Sequence, residues 1–193
     1  MASEVDICNS ALNQLGASQI ISRTENSKAA RVVNQRYDFI RDKVIRSHPW
    51  NSCVRRASLA QETDTPVYKY AYQYALPTDP YCLRVINIST SGDVEELDID
   101  YQIEGRKLLT DESTVYLRYI ARITDPNEYD ALLIEALTAA LAADISYAIT
   151  NSATLARELQ GLYAMKLGEA RFADAQENFP DVIEAETFIE ARL

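Results

Sequence analysis

The chain has 193 residues, of which 47 % are hydrophobic, and a formal net charge of −10; this is enough for one domain with a full core, and the composition is that of an ordinary globular protein. Such an acidic chain is ill suited to gripping nucleic acid over its whole surface, because that requires Lys and Arg to neutralise phosphates. Residues 1–60 are the exception, with nine Lys and Arg against five Asp and Glu, while 61–125 carry six against twelve and 126–193 four against twelve.

A short helix is predicted from Ser3 to Leu15. Ser3 and Asp6 have capping-box spacing, Ile7, Cys8, Ala11, Leu12 and Leu15 offer a core face, and Gly16 ends the run. A second helix is expected from about Asn26 to Ser47, with Ala29, Val33, Tyr37, Ile40 and Val44 on one face. Lys28, Arg31, Arg36, Lys43 and Arg46 fall mostly on another. That basic stripe reads either as a solvated face or as a contact surface for an acidic partner or a DNA backbone. Pro49 disfavours helix at His48 and closes the segment. The chain then turns extended over Trp50–Ala60, with Trp50 plugging the junction.

From Pro66 to Ile123 the period drops to two. Tyr68, Tyr70, Tyr72 and Tyr74 alternate with smaller or polar residues and are expected to share one strand face. Such a ladder can stack bases or sugars, but it equally suits half-buried strand packing. Leu83–Ile88 reads as a further strand, and Ser91-Gly92-Asp93 as a turn before an acidic segment. Tyr101–Ile103 and Arg106–Leu109 flank a hairpin turn at Glu104-Gly105. Val115, Leu117, Tyr119, Ala121 and Ile123 form one face of a last strand, with Arg118 and Arg122 on the other.

Asp125–Thr150 then reads as one helix, apolar nearly all the way round, which calls for burial on every side. Asp125, Pro126 and Glu128 are expected to start it, and Thr150-Asn151-Ser152 to end it. The run is long enough to cross a bilayer, but Glu135 and Asp144 interrupt it and favour a protein core over lipid. A closing helix follows from about Ser152 to Gln176. Leu155, Leu159, Leu162, Tyr163 and Ala170 are placed to face the central helix. Gly161, Ala164, Gly168 and Ala175 line a separate small-residue face, open to close approach of another backbone. Residues 177–193 alternate acids with apolar residues and form a C-terminal arm.

Chemistry is sparse in this sequence. One histidine, His48, and three widely spaced cysteines, Cys8, Cys53 and Cys82, make neither a zinc site nor a disulfide framework. The start MASEVDICNS lacks the basic and apolar regions of a secretion signal. No phosphate-cradling loop, nucleophile elbow or metalloprotease motif is present in the sequence. No enzyme activity, cofactor or metal is expected.

Three stretches carry a family resemblance: Ile45-Arg-Ser-His-Pro-Trp50-Asn51 running into Arg55-Arg56-Ala-Ser-Leu-Ala60; Tyr72-Gln-Tyr74-Ala-Leu76-Pro77-Thr-Asp79 with Leu83-Arg84-Val85; and Tyr101-Gln-Ile-Glu104-Gly105-Arg106 through Tyr116-Leu-Arg-Tyr119-Ile to Thr124-Asp125-Pro126. In these the chain resembles the head-to-tail adaptors of tailed bacteriophages, in particular the tail tubular protein A (collar) family of short-tailed phages. The resemblance implies an α+β, mainly α fold. Residues 1–50 would give the first helices of a bundle, 51–124 an inserted antiparallel β-region, 125–176 the central and closing helices, and 177–193 the arm. It further implies a structural virion protein without enzymatic activity, made in the host cytoplasm and assembled as a ring, a dodecamer. Such a ring binds the portal protein above and the tail nozzle (tail tubular protein B-like) below. DNA passes through its centre without sequence-specific binding, and no membrane is involved. Lys28, Arg31, Arg36, Lys43, Arg46, Gly161 and Gly168 become candidate interface residues, with Phe188 and Leu193 as anchors of the arm. The alternative from the residues alone is a DNA-binding helical module using the basic face of residues 28–46.

Overall fold

A computed structural model describes residues 2–91 and 99–177. Four helices, α1 (Glu4–Gln14), α2 (Lys28–Arg46), α3 (Ala131–Thr150) and α4 (Ala153–Gln176), surround two small antiparallel sheets built from six strands. The fold is α+β and mainly α, as expected. β1 (Val54–Leu59), β6 (Val115–Ala121) and β3 (Cys82–Ser89) form one sheet in the order β1-β6-β3. β2 (Tyr72–Ala75), β5 (Lys107–Thr110) and β4 (Tyr101–Glu104) form the other, in the order β2-β5-β4.

Local chemistry sets the helix ends. The Ser3 hydroxyl accepts from the Asp6 amide at 3.1 Å and the Asp6 carboxylate accepts from the Ser3 amide at 2.9 Å, so the capping box is complete. Gly16, at φ +64°, takes the left-handed conformation that carries the chain out of α1. The polar linker that follows is held by Asn9, whose side chain both donates to the Ile20 carbonyl and accepts from its amide. α2 starts on Ser27, which accepts from the Ala30 amide. Ala30, not Ala29, is the buried alanine of its apolar face.

The start of α3 differs from the sequence expectation. Asp125 does cap a turn, accepting from the Asn127 amide, but that turn is a short 3-10 helix, Pro126–Glu128. The α-helix begins only at Ala131, capped by Asp130. Tyr129 separates the two, its hydroxyl donating to the Ile123 carbonyl at 2.6 Å. Two acids with capping geometry lie five residues apart, and the tyrosine anchor decides between them. At the other end Asn151 adopts φ 55° and Ser152 caps α4 through the Leu155 amide, as the sequence indicates.

α3 packs against α1, α2 and α4, while α1 and α2 meet each other only briefly. Its middle, from Ala136 to Ala142, is buried without interruption. Burial fails towards the end, where Asp144, Tyr147 and Ala148 are exposed. α3 is long and apolar enough to cross a membrane by length and composition, but here its apolar surface is covered by the other helices. Helices and sheets share one continuous hydrophobic core, so the β-region is fused to the bundle and is not a separately cored unit.

In the sheets, Val115, Leu117, Tyr119, Ala121 and Ile123 are all buried, as the alternation predicts. The Glu104-Gly105 hairpin also forms, with Gly105 at φ +59° and Glu104 paired with Lys107. The four-tyrosine ladder does not. Lys69 sits at φ 74°, which breaks the extended run, and β2 begins only at Tyr72. Tyr68 is exposed, Tyr70 and Tyr74 are buried, and the Tyr74 hydroxyl is used inside by the Glu112 carbonyl. No shared stacking face remains.

Leu137 lies at the centre of this arrangement and is 1 % exposed. Leu137→Ala is expected to lower unfolding free energy by about 3 kcal/mol, the usual cost of a buried cavity of this kind. Urea denaturation should show a lower midpoint with an unchanged slope.

Candidate functional site

The residues singled out in the sequence fall into three groups. The first is the basic stripe of α2. Lys28, Arg31, Lys43 and Arg46 are exposed. Three of the five cations already serve this chain. Arg31 donates to the Asn26 side chain at 2.7 Å, Arg46 to the Leu83 carbonyl at 3.2 Å, and Arg36 makes a two-pronged ion pair with Asp144 of α3 at 2.6 and 2.9 Å. The α2 arginine that the stripe omits, Arg41, is buried and bonded to Asp38 and Asp42. Asp42 also takes Arg122 from the end of β6, so it ties the helix to the sheet.

The second group is the outer face of α4. Leu159 and Ala170 are buried, and Leu155, Leu162, Tyr163 and Leu167 pack against the core. The opposite side is uncovered. Gly161, Ala164, Met165, Gly168, Phe172 and Ala175 follow one another at helical spacing and are all exposed. Phe172 is 69 % and Met165 52 % exposed. A Cβ built on Gly161 or Gly168 meets nothing within 4 Å. Among the described residues, therefore, nothing requires glycine at either position, although each costs about 1 kcal/mol of helix stability against alanine.

The third group lies at the end of α4, where Phe188 and Leu193 fall outside the described residues. What the structure adds there is a clip that the sequence did not reveal. The Asp174 carboxylate accepts from His48 Nε2 at 3.1 Å and from the Asn51 backbone amide at 2.9 Å, and the Asn51 side chain donates to the Asp174 carbonyl at 2.8 Å. Arg171 donates to the Ser47 carbonyl at 3.1 Å. His48 also packs edge-on against Trp50, with centroids 4.8 Å apart. Trp50 is fully buried and donates its indole N–H to the Val44 carbonyl. The turn after α2 is thus pinned to the last turns of α4, more than 120 positions along the chain. The only sequence signal was His48-Pro-Trp-Asn51 itself, since nothing marks Asp174 as its partner.

The titratable groups here are structural. Burial pushes the Cys8 thiol up to about 12 and the Cys53 thiol up to about 11, and raises Cys82 as well, so these are inert, buried sulfurs. His48 is held below its ordinary range, chiefly by burial; Asp174 pulls the other way, while Arg171 and Arg84 reinforce the depression. The neutral ring, donating from Nε2, is the form that fits. Among the described residues no group of His, Cys, Asp and Glu is placed to hold a metal ion. Compared with models of known protein families and with curated proteins, the chain matches none.

The His48 clip has a defined pH signature. The fold favours neutral His48, whereas the unfolded chain takes up a proton near the ordinary value of about 6.5. Stability from this group is therefore complete above that value and is lost as pH falls below it. Wild-type protein should lose more unfolding free energy between neutral and mildly acid pH than His48→Gln, measured by denaturant titration across that range. Asp174→Ala should remove roughly 1–3 kcal/mol at neutral pH, by leaving the His48 and Asn51 donors without their acceptor.

Proposed function

We propose that this protein is a structural head-to-tail adaptor of a tailed bacteriophage virion, which packs side by side with copies of itself into a ring between the portal protein and the tail nozzle. The observation that carries this reading is the uncovered face of α4, a row of small and apolar residues running from Gly161 to Ala175 on a helix whose other side is fixed to the core. A face of this kind, with two glycines that nothing among the described residues requires, suits close packing against a neighbouring subunit. The motifs shared with the collar family support the same reading, and in a ring of that family DNA passes through the centre.

The acidic balance of the chain fits a channel component that does not grip its cargo, since phosphates are repelled at short range and screened beyond about 10 Å. The alternative, DNA binding by α2, is weakened by geometry. Arg36 is committed to Asp144 and Arg31 reaches the Asn26 side chain, which reduces the cations available to a phosphate-binding helix.

Mass photometry of the protein mixed with its cognate portal rings tests the reading. The expected result is a step of about twelve subunits on the portal, by closed cyclic symmetry. A portal mass that does not move, together with duplex DNA bound at low salt, rejects it. Replacing Gly161 and Gly168 together by leucine should block assembly on the portal while raising the stability of the isolated chain by about 1–2 kcal/mol, because the helix loses two glycines and gains no clash. Assembly that survives the double substitution would place the subunit interface elsewhere.

A further inference from the structure

The two sheets do not close against each other completely. A cleft of about 480 Å³ runs between the edge strand β3, the β4–β5 hairpin and the end of α2. Its polar lining is cationic: Arg46, Arg84, Arg106 and Arg122, with Tyr81 and Tyr101 between them. Among the described residues no carboxylate lines it, although acids outnumber bases by ten in the whole chain. The arginines stand on a rigid frame. Arg106 donates to the carbonyls of Leu76, Pro77 and Cys82, and Arg122 is braced from behind by Asp42. Both guanidinium groups sit over Tyr81, at 3.9 and 4.3 Å from its ring centroid. Arg46 is held by the Leu83 carbonyl, and the Arg84 side chain donates no hydrogen bond among the described residues. The remainder of the wall is aliphatic, from Leu76, Leu83, Val85 and Ile103.

A wall that mixes fixed guanidinium groups with aliphatic side chains matches an acidic peptide that also carries apolar residues. Arginine binds carboxylates with planar, charge-assisted geometry, and the apolar wall gives the peptide's other side chains a place to bury. A nucleic acid backbone would leave that wall unused and would face the negative field of the rest of the chain. One segment with the required composition follows α4 directly in the chain. Residues 178–193 lie outside the described residues, and their sequence carries Asp181, Glu184, Glu186 and Glu190 against one arginine, interleaved with Phe179, Ile183, Phe188 and Ile189. α4 delivers the chain to the right place. Asp174 is bonded to His48 and Asn51, and the Asn51 side chain also reaches the Glu177 carboxylate at 3.5 Å. His48 is two positions beyond Arg46, which lines the cleft. Sixteen further residues can span up to about 50 Å when extended, and a tether this short holds its end at millimolar effective concentration.

We propose that the arginine cleft between the two sheets is the docking site for the acidic C-terminal segment of the same chain, residues 178–193. It stands whether or not the protein is a phage adaptor.

Hydrogen exchange of the full-length protein, read by mass spectrometry on the peptide covering residues 178–193, tests it. Arg46→Glu with Arg84→Glu should speed exchange in that peptide by roughly 10-fold or more, the effect of losing about 1.4 kcal/mol of docking. Reversing the segment instead, by Glu184→Lys, Glu186→Lys and Glu190→Lys, should do the same without touching the folded body. Combining both sets should restore the slow exchange. The protection should also be independent of protein concentration. Equal exchange in wild-type protein and in the segment-reversed variant overturns the proposal, and so does protection that fades on dilution, which would assign the occupant to a second copy.

Discussion

Everything in this molecule depends on covering α3. A 20-residue helix with alanine, leucine and isoleucine on all sides has no face that water tolerates over its middle turns. The fold answers with α1 and α2 on one side and α4 on the other. α1 and α2 hardly touch each other directly; α3 and Arg23, which pairs with Glu4 and Asp38, hold them in the same body. The same demand explains why α4 is so thinly buried. It is a lid for α3, and once Leu159 and Ala170 are seated its far side has no partner among the described residues. A helix recruited to cover another must be covered in turn or remain soluble by its own composition. The outer face of α4, with Met165, Phe172 and glycines where a solvated helix would carry charge, does not meet the second condition.

Burial alone would leave the helices free to slide over a smooth alanine-rich surface. Register comes from polar pins at the edges of the core. Asp42 joins α2 to the end of β6, Arg36 joins α2 to α3 through Asp144, and Asp174 joins the end of α4 to the turn after α2. Two of the pins have a partner on α2 and the third holds the turn that follows it, which makes that helix and its end the common reference for both halves of the fold. The pins all use a carboxylate acceptor, and hydrogen bonds to a charged group are stronger than neutral ones. The His48–Asp174 contact differs from the other two because burial outweighs the attraction of the carboxylate, so it works as a neutral hydrogen bond and not as an ion pair.

Elements with a strong period were legible in the sequence. The alternation from Val115 to Ile123 and the unbroken apolar run of α3 each had one physical solution, and both appear. The capping signals at Ser3, Ser152 and Asn151 also read directly, because a cap is a local bond between neighbours in the chain. The failures share a cause. At Asp125 and Asp130 two local solutions were equally good, and a contact made by Tyr129 selected the second. In the tyrosine run, alternation implied a continuous strand, but a positive φ at Lys69 interrupts it. Asp174 had no local signature because its meaning lies in residues 123 to 126 positions away. Spacing reports which face a residue occupies and leaves open which distant group meets it there.

The same limit governs the reading of charge. Counting side chains assigns the basic character of the chain to α2, where six cations fall close together. In the folded molecule that stripe is partly spent: Arg36 neutralises Asp144 and Arg31 holds the Asn26 side chain. The cationic concentration lies instead where α2 ends and the sheets part, among arginines drawn from residues 46, 84, 106 and 122. The nearest two of those four are 16 positions apart in the sequence. Two of them are immobilised by carbonyls, a carboxylate and the face of Tyr81, so the entropy normally lost when a long cation binds its ligand has already been given up in folding. A field assembled from distant positions on rigid supports can hold an acidic ligand more firmly than a larger number of mobile lysines and arginines on one helix.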